Sequence, residues 1–306
     1  MILIDSKHNP EHKPLVATIG FFDGVHSGHR FLIEQVKSAA RKKNLPSAVI
    51  TFAVHPRKIL QKDYQPALLC GYDEKIKRLA LTGIDYCVSL DFTIEMSKLT
   101  AREFMVKILK KKLNVDTLII GYDHRFGHNR DKDFNDYRRY GEEIGMNVIQ
   151  SVESNPSEHV SSSRIRRLLG NGDIKKANRL LSYNYTISGK VIEGFKVGRT
   201  IGFPTANIQI WEDYKVVPAF GVYAVYVHIC GTKYKGMLYI GKRPTLQNGN
   251  NISLEVNIFD FDGDLYNQSL TAEFIDFVRF DKKFDGVEEL KNQIQEDKRQ
   301  VQKLLQ

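Results

Sequence analysis

The alternation of predicted strands and helices constrains the fold of this chain more than any other feature of its sequence. In the N-terminal half, apolar strand-like runs alternate with stretches whose apolar residues recur at helical spacing. Strands that are separated by helices pair in parallel, so this pattern predicts a doubly wound α/β sheet. The predicted strands are 15–22, 47–52, 86–90, 117–120 and 147–150, and the predicted helices are 26–43, 73–82 and 101–112.

The sequence changes character near residue 182, where short β-rich runs separated by turn residues replace the alternation. This change predicts an antiparallel barrel or sandwich, and we place the domain boundary between residues 183 and 184. The end of the chain predicts a helix over the barrel, with Asp285 and Glu288 as a capping box and an apolar face that includes Val287. The β-rich runs are 185–192, 221–229, 234–240, 252–259 and 270–280.

Composition excludes several classes of protein. No run of about 18 apolar residues occurs and no signal-peptide core is present, so we predict a cytoplasmic protein without a membrane partner. Cys70, Cys87 and Cys230 are widely scattered, which argues against a disulfide framework and against a thiolate zinc site. The formal charge of +9 favours an anionic partner, and nucleic acid, an acidic membrane and a polyphosphate all qualify.

A string that contains glycine and histidine follows the first predicted strand and opens the first predicted helix. The string contains His26 and His29, whose i, i+3 spacing places both imidazoles on one face of the first helical turn. Free backbone N–H groups and the helix dipole favour an anion at that position. Gly28 permits close approach of a phosphate, and Asp23 can orient an imidazole or a hydroxyl. Solvated helix caps fit the same pattern. A Ser/His/Asp hydrolase fits less well, because Ser27 lacks the flanking glycines of a nucleophile elbow.

Segment 160–166 also carries groups that suit a phosphate chain. The hydroxyls of Ser161 and Ser162 can position phosphate oxygens, and Arg166 can neutralise charge that develops on a departing pyrophosphate. Arg164 supplies a second guanidinium. Ordinary capping of a helix explains such serines equally well.

A charged loop follows the predicted strand 117–120. It places Asp123 and Arg125 at the carboxyl end of that strand, where ligands of open α/β sheets bind. Exposed loop charges are the ordinary alternative, and the position at the sheet edge favours a ligand-binding role.

Segment 194–207 concentrates glycines, cations and hard oxygen ligands. A glycine-rich loop exposes backbone N–H groups to phosphate, and the neutral oxygens of Thr205 and Asn207 suit a Mg²⁺ ion that bridges phosphates. A flexible hairpin loop is the alternative. The residues of the loop that would approach the phosphates are Gly198, Arg199 and Gly202.

One carboxylate stands on the polar side of a predicted barrel strand. Alternation along 252–259 sends Glu255 to the side opposite Leu254 and Val256. Most such residues are solvated surface groups. In a barrel that binds ATP and Mg²⁺, Glu255 would instead accept the proton of an attacking hydroxyl, because an alcohol is a poor nucleophile at neutral pH.

In this order, the segments resemble the prokaryotic bifunctional riboflavin kinase/FMN adenylyltransferase family, also called FAD synthetase. Segment 20–29 is similar to the family's G-x-F-D-G-V-H-x-G-H, segment 160–166 to its I-S-S-T-x-x-R, and segment 198–207 to its G-R-x-x-G-F-P-T-A-N. The resemblance covers nearly the whole chain. It departs from the family pattern at Ser163, His124, Asn257 and Asn267, where Thr, Phe, His and Gly are usual.

The resemblance implies a Rossmann-like nucleotidyltransferase domain in residues 1–183 and a riboflavin kinase barrel in residues 184–306. It implies that ATP phosphorylates riboflavin to FMN in the barrel and adenylylates FMN to FAD in the first domain, with release of pyrophosphate. The substrates would be small molecules, with Mg²⁺ as the metal and no nucleic-acid partner.

The resemblance also implies roles for individual residues. In the adenylyltransferase, the residues that hold ATP would be His26, His29, Ser161, Ser162 and Arg166, with Asp123 in the same site. In the kinase, Thr205 and Asn207 would hold Mg²⁺-ATP, and Glu255 would be the base.

The sequence alone leaves two alternative functions open. The first is another nucleotidyltransferase joined to an unrelated β-domain, and the Thr205, Asn207 and Glu255 group argues against it. The second is a basic RNA-binding module, which the positive charge permits. RNA binding favours exposed aromatic side chains, whereas barrel aromatics such as Tyr223 and Phe259 lie in apolar runs.

Overall fold

A computed structural model describes most of the chain, in two compact units. The N-terminal unit is Met1–Ser162 and the C-terminal unit is Ser163–Gln306. The domain boundary between residues 183 and 184 stays a prediction. By their contacts, residues 163–183 belong to the C-terminal unit. The described residues are 1–5, 13–61, 63–65, 67–122, 124–128, 131–152, 160–194, 198, 201–242 and 252–306.

The N-terminal unit contains a parallel sheet of six strands in the order β1-β4-β3-β2-β5-β6. The predicted parallel sheet is therefore confirmed. The strand β1 was not predicted, because three residues are too few for a hydrophobic period to show. The strands are β1 Ile2–Ile4, β2 Leu15–Ile19, β3 Ser47–Phe52, β4 Tyr86–Leu90, β5 Val115–Ile120 and β6 Asn147–Gln150.

Apolar clusters bury both faces of this sheet. On β2, Leu15, Ala17 and Ile19 belong to one cluster and Val16 to the other, as a doubly wound sheet requires. The predicted helix 101–112 is present as a short α-helix followed by a π-helix. The helices are α1 Ser27–Lys43, α2 Pro56–Leu60, α3 Tyr72–Ala80, α4 Ile94–Ser97, α5 Ala101–Phe104, the π-helix Met105–Lys112 and α6 Phe134–Glu143.

The C-terminal unit contains a closed antiparallel barrel of strand order β10-β11-β8-β7-β12-β9. Of the two predicted alternatives, the barrel is therefore the observed one. Strand β8 was not predicted, because its polar Asn207 and Gln209 weaken the β pattern. The elements are α7 Ser162–Gly170, α8 Ile174–Leu181, β7 Thr186–Ile192, β8 Ala206–Ile210, β9 Gly221–Ile229, β10 Thr232–Lys242, β11 Ile252–Ile258 and β12 Ser269–Phe280.

The predicted C-terminal helix is present as α9, Val287–Leu304, and it packs on the barrel through Val301. The predicted capping box is wrong. The N-cap residue is Gly286, and the backbone N–H of Asp285 donates to Glu289 Oε2 at 3.1 Å. Val287 is 61% exposed, so it does not belong to the apolar face, because the first turn extends beyond the barrel surface.

No helix among the described residues is long and apolar enough to cross a membrane. Cys70, Cys87 and Cys230 all lie within the described residues, and none of them forms a disulfide.

Candidate active sites

Residues 20–26, which we call the 20–26 loop, leave β2 in an unusual backbone conformation. Phe22 and Val25 have φ values of 56° and 41°, and Gly24 has a φ of 76°. Positive φ is costly for bulky and β-branched side chains, and it persists only where surrounding contacts enforce it. The loop that precedes the two histidines is therefore strained and held in place.

His26 and His29 stack on each other as their spacing predicts. Their ring centroids are 3.6 Å apart and their planes differ by 16°. His26 is the N-cap of α1, and its Nδ1 accepts from the backbone N–H of His29 at 3.4 Å. A neutral His26 ring that accepts at Nδ1 carries its proton on Nε2.

His29 is arranged to remain a neutral imidazole. Burial lowers its pKa well below the ordinary value of 6.5, and the charges of His26, His124 and Lys75 lower it further. The His29 Nδ1 atom is buried and has no hydrogen-bond partner in the described part of the chain. A buried polar atom of this kind costs free energy, which is the usual signature of a binding site.

We expect the lowered pKa of His29 to make the N-terminal unit less stable in mild acid. Unfolded His29 binds a proton near pH 6.5 and the folded residue does not, so the free energy of unfolding falls as the pH drops below 6.5. The slope from this residue is up to about 1.4 kcal/mol per pH unit. Hydrogen exchange of the α1 amides measures it, and His29→Ala should flatten the curve. An identical slope in the variant would exclude His29 as the cause.

Asp23 and Ser162 join the 20–26 loop to its neighbours. Asp23 is 4% exposed, and its Oδ1 accepts from the backbone N–H of Leu69 at 2.8 Å. The Ser162 hydroxyl donates to the carbonyl of Asp23 at 3.0 Å. The structure thus brings the predicted segments 20–29 and 160–166 together at their start, and it gives Asp23 a role in shaping the loop.

Gly28 is not required by packing within the protein. A Cβ atom at this position would lie 3.4 Å from the His26 ring and 3.7 Å from Val160 Cβ, which are ordinary contacts. Its φ is not in the left-handed region. Close approach of a phosphate to Gly28 stays a prediction.

The other residues predicted for the adenylyltransferase site lie in different parts of the structure. Ser161 is half-buried beside Ser162, and Arg164 and Arg166 lie half-buried on α7 within the C-terminal unit. Asp123 lies outside the described residues. Arg125 lines a cleft of about 550 Å³ at the end of β5. The same cleft is lined by Tyr122, His124, Asn135 and Gln150.

His124 contributes to the site in a way that the sequence did not predict. Its charge lowers the pKa of His29, so the two rings lie close enough to interact electrostatically. The signal available in the sequence was its position at the carboxyl end of β5, beside Arg125.

Glu255 faces Thr205 and Asn207 inside the barrel unit. The Thr205 hydroxyl donates to Glu255 Oε2 at 3.2 Å, and the Ser253 hydroxyl donates to Oε1 at 2.8 Å. Asn207 on β8 is the direct cross-strand partner of Glu255 on β11. These residues therefore form one polar group, and Glu255 and Thr205 line a cavity of about 530 Å³.

The glycines of segment 194–207 shape the loop beside this cavity. A Cβ atom on Gly198 would lie 2.3 Å from the Phe203 carbonyl, so only glycine allows this close approach. Gly202 has a φ of 86°. Arg199 lies outside the described residues, and phosphate binding by this loop stays a prediction.

Two polar residues near Glu255, Tyr239 and Asp281, were not predicted as parts of the site. Tyr239 lies opposite Glu255 on β10 and donates its hydroxyl to Asp281 at 2.9 Å. Burial and the charges of Asp281 and Glu255 raise the pKa of Tyr239 to about 12, so the phenol keeps its proton. Asn257, a departure from the family pattern, donates to the Pro204 carbonyl at 2.7 Å and thereby holds the segment before Thr205. These contacts join strands that are distant in sequence, so no local pattern reveals them.

The neutral oxygen donors beside Glu255, of which Thr205 lines the cavity, suit a magnesium ion that arrives with a nucleotide. No group of three or more His, Cys, Asp or Glu among the described residues could hold a metal by itself. Thr205 and Asn207 offer neutral hard oxygens, and Mg²⁺ commonly combines few protein ligands with substrate phosphates.

The aromatic residues in the apolar runs of the barrel strands are buried. Tyr223 is 0% exposed and Phe259 is 4% exposed, so neither ring can stack on a base. Trp211 and Phe280, at the ends of β8 and β12, are exposed, so the two buried rings alone give no support to the RNA-binding alternative.

A parallel α/β unit with a histidine-bearing loop and a barrel with a half-buried glutamate in a cavity define a two-domain nucleotide-dependent transferase. The FAD synthetase family model matches residues 8–164, and the riboflavin kinase family model matches residues 181–305. The chain belongs to the bifunctional riboflavin kinase/FMN adenylyltransferase family.

Similar proteins match over nearly the whole chain. A Listeria monocytogenes protein is 37% identical over 283 residues, covering 92% of this chain and 90% of the relative. An Escherichia coli protein is 37% identical over 302 residues, covering 97% and 96%. Both are named bifunctional riboflavin kinase/FMN adenylyltransferase. A solved structure from Streptococcus pneumoniae, described as a macrolide-efflux protein, is 32% identical with a TM-score of 0.88 and 99% coverage of both chains, so the two share one fold.

Proposed function

We propose that this chain converts riboflavin to FAD in two ATP-dependent steps, one in each domain. The barrel phosphorylates riboflavin to FMN, and the α/β domain transfers an adenylyl group from a second ATP to FMN. The observation that carries the proposal is the placement of Glu255 within 3.2 Å of Thr205 and directly opposite Asn207 in the barrel. Family membership and the paired histidines of the first domain support the second step.

In the kinase step, a ribityl hydroxyl of riboflavin attacks the γ-phosphorus of ATP. Glu255 accepts the hydroxyl proton as the new O–P bond forms and ADP leaves with the electrons of the broken bond. The hydroxyls of Thr205 and Ser253 orient the carboxylate through one oxygen each. Thr205 and Asn207 would hold Mg²⁺, which neutralises charge on the phosphates when it is bound.

In the adenylyltransferase step, the nucleophile is the phosphate of FMN. Its second pKa is about 6, so it is already anionic at neutral pH and needs no general base. The task of the protein is to stabilise charge on the α-phosphate and on the departing pyrophosphate. We assign this task to His26 and His29, with Ser161, Ser162 and Arg125 as further phosphate contacts. The resemblance of segment 160–166 to the family pattern implies phosphate-binding roles for Arg164 and Arg166 as well.

We infer that both steps take place in the cytoplasm. The absence of disulfides among three cysteines agrees with a reducing compartment, and ATP is consumed in each step. The location stays a prediction.

We expect purified protein with riboflavin, ATP and Mg²⁺ to yield FMN and then FAD. Chelation of the metal with EDTA should stop FMN formation, because the γ-phosphate then loses its charge neutralisation. Chromatography of the products over time measures both steps. Riboflavin left unchanged, or FMN formation that is insensitive to EDTA, would contradict the proposal.

A further inference from the structure

Lys75 is a buried cation in the N-terminal unit. It lies on α3 and is 2% exposed. Its Nζ donates to the Phe52 carbonyl at 2.7 Å, to the Phe21 carbonyl at 3.2 Å and to the Thr51 hydroxyl at 3.3 Å. The three N–H donors of the ammonium group therefore each have an acceptor.

These acceptors lie where two neighbouring strands end. Thr51 and Phe52 are the last residues of β3, and Phe21 belongs to the strained 20–26 loop after β2. The Thr51 hydroxyl also donates to the Phe21 carbonyl at 3.1 Å. The side chains of Lys75 and Thr51 thus both donate to the Phe21 carbonyl. These two hydrogen bonds attach the start of the loop to the end of β3.

The aromatic ring of Phe21 adds to this contact. The Nζ atom of Lys75 lies 4.1 Å from the centre of the Phe21 ring, within the range of a cation–π interaction. The ammonium therefore contacts both the backbone and the side chain of Phe21. The next residue along the chain is Phe22, the first of the residues with positive φ.

A buried ammonium with only neutral hydrogen-bond acceptors is an expensive way to fill a core. No carboxylate is among the hydrogen-bond partners of Lys75 in the described residues, and an apolar side chain would avoid the desolvation cost. Burial lowers the pKa of Lys75 to about 8, partly offset by nearby Cys70, Cys87 and Asp23. The residue therefore remains mostly charged at neutral pH, and the cost needs a functional explanation.

The 20–26 loop has further ties on its other side. The backbone N–H of Gly24 donates to Cys70 Sγ at 3.1 Å, and Asp23 accepts from Leu69 N–H. Residues 69 and 70 directly precede α3, the helix that carries Lys75. The start and the middle of the loop are thus both attached to α3 or to the residues that lead into it.

We propose that Lys75 is a positioning residue for adenylyl transfer, which holds the 20–26 loop in its strained conformation and thereby fixes where the paired His26 and His29 at the start of α1 are presented. The inference rests on the proposed adenylyltransferase function. Lys75 itself does not touch the phosphates in this proposal, and it acts through Phe21 and the loop.

The test is the change Lys75→Met in the full-length protein. We expect kcat for FAD formation to fall about 10- to 100-fold, because small displacements of catalytic groups have effects of this size. The KM for FMN should change less than about threefold, and riboflavin phosphorylation by the barrel should be unaffected. Lys77→Met is the matched control, because Lys77 is an exposed residue of the same helix, and it should leave both activities unchanged.

Thr51→Val provides a second, milder test. It removes the hydroxyl that both accepts from Lys75 and donates to Phe21, while keeping the shape of the side chain. We expect it to lower kcat for FAD formation less than Lys75→Met does. The double variant should lose less than the product of the two single losses, because both residues act on one carbonyl. Should Lys75→Met fail to fold, as loss of hydrogen-exchange protection at the α1 amides would reveal, Thr51→Val still decides the matter.

The failure of this inference is distinguishable from the failure of the proposed function. If the unmutated protein forms no FAD, the proposed function is wrong and the inference falls with it. Normal kcat for FAD formation in folded Lys75→Met or in Thr51→Val would overturn the inference alone. A rise in KM with unchanged kcat would also overturn it, since that result assigns the loss to ground-state binding.

Discussion

Replacement of Glu255 by Gln is expected to lower the rate of FMN formation by about 10²- to 10⁴-fold, the range for loss of a general base. Gln has nearly the same shape, and its amide oxygen can still accept a hydrogen bond from Thr205 or Ser253. It cannot take the proton of the ribityl hydroxyl. The measurement is the initial rate of FMN formation from riboflavin and ATP, followed by chromatography.

The same variant should still convert added FMN to FAD at the normal rate, because that step uses the N-terminal domain. Glu273→Gln is the matched control. Glu273 lies on β12 of the same barrel, where it contacts His228 and Asn184 and does not line the cavity that contains Glu255. Unchanged FMN formation in Glu255→Gln would show that the carboxylate is not the base. Equal loss of both activities in a folded variant would contradict the assignment of one step to each domain.

The parts of the fold that the sequence predicted are those with a strong local period. Strands such as 47–52 and 86–90 are continuous apolar runs, and the structure has them with the predicted limits. The capping box of α9 failed for a physical reason. Asp285 and Glu288 have the right spacing, but the helix begins at Val287, so Gly286 occupies the cap position. Spacing alone does not determine the residue at which a helix starts.

The site was predictable where one short segment carries several of its groups. His26 and His29 belong to one turn, and Thr205 and Asn207 are two residues apart, so local geometry places them together. The contacts of Lys75 with Phe21 and of Tyr239 with Asp281 depend instead on the packing of distant elements. A lysine on an amphipathic helix is ordinarily solvated, and nothing local distinguishes Lys75 from the exposed Lys77.

The strained backbone of the 20–26 loop depends both on its local sequence and on the packing of distant elements against it. The positive φ of Phe22 and Val25 is unfavourable for the isolated segment, so the segment alone does not encode this conformation. Bonds to the loop from Leu69, Cys70, Lys75 and Ser162 all come from other parts of the N-terminal unit. The helical turn sets the spacing of the two histidine rings, and the packing of the folded unit sets the conformation of the loop that leads into them.

Replacement of His29 by Ala is expected to have the opposite effect to Glu255→Gln, with FMN accumulating because its conversion to FAD slows by about 10²- to 10³-fold. Loss of one preorganised hydrogen-bonding group at a transition state has consequences of this size. The His29 imidazole is suited to such a role because it is neutral, half-buried and has an Nδ1 atom without a partner in the described part of the chain.

The backbone should tolerate the change to Ala, because α1 is capped by the side chain of His26, which accepts from the backbone N–H of residue 29 and not from its ring. Riboflavin phosphorylation should therefore stay normal, and hydrogen exchange of the α1 amides serves as the measure of a folded N-terminal unit. His128→Ala is a suitable control, since His128 is a histidine of the same unit whose ring contacts the Ser97 carbonyl on the surface. If His29→Ala formed FAD at the unmutated rate, the buried Nδ1 would have no part in adenylyl transfer. The phosphates would then have to be stabilised by His26 and the arginines alone.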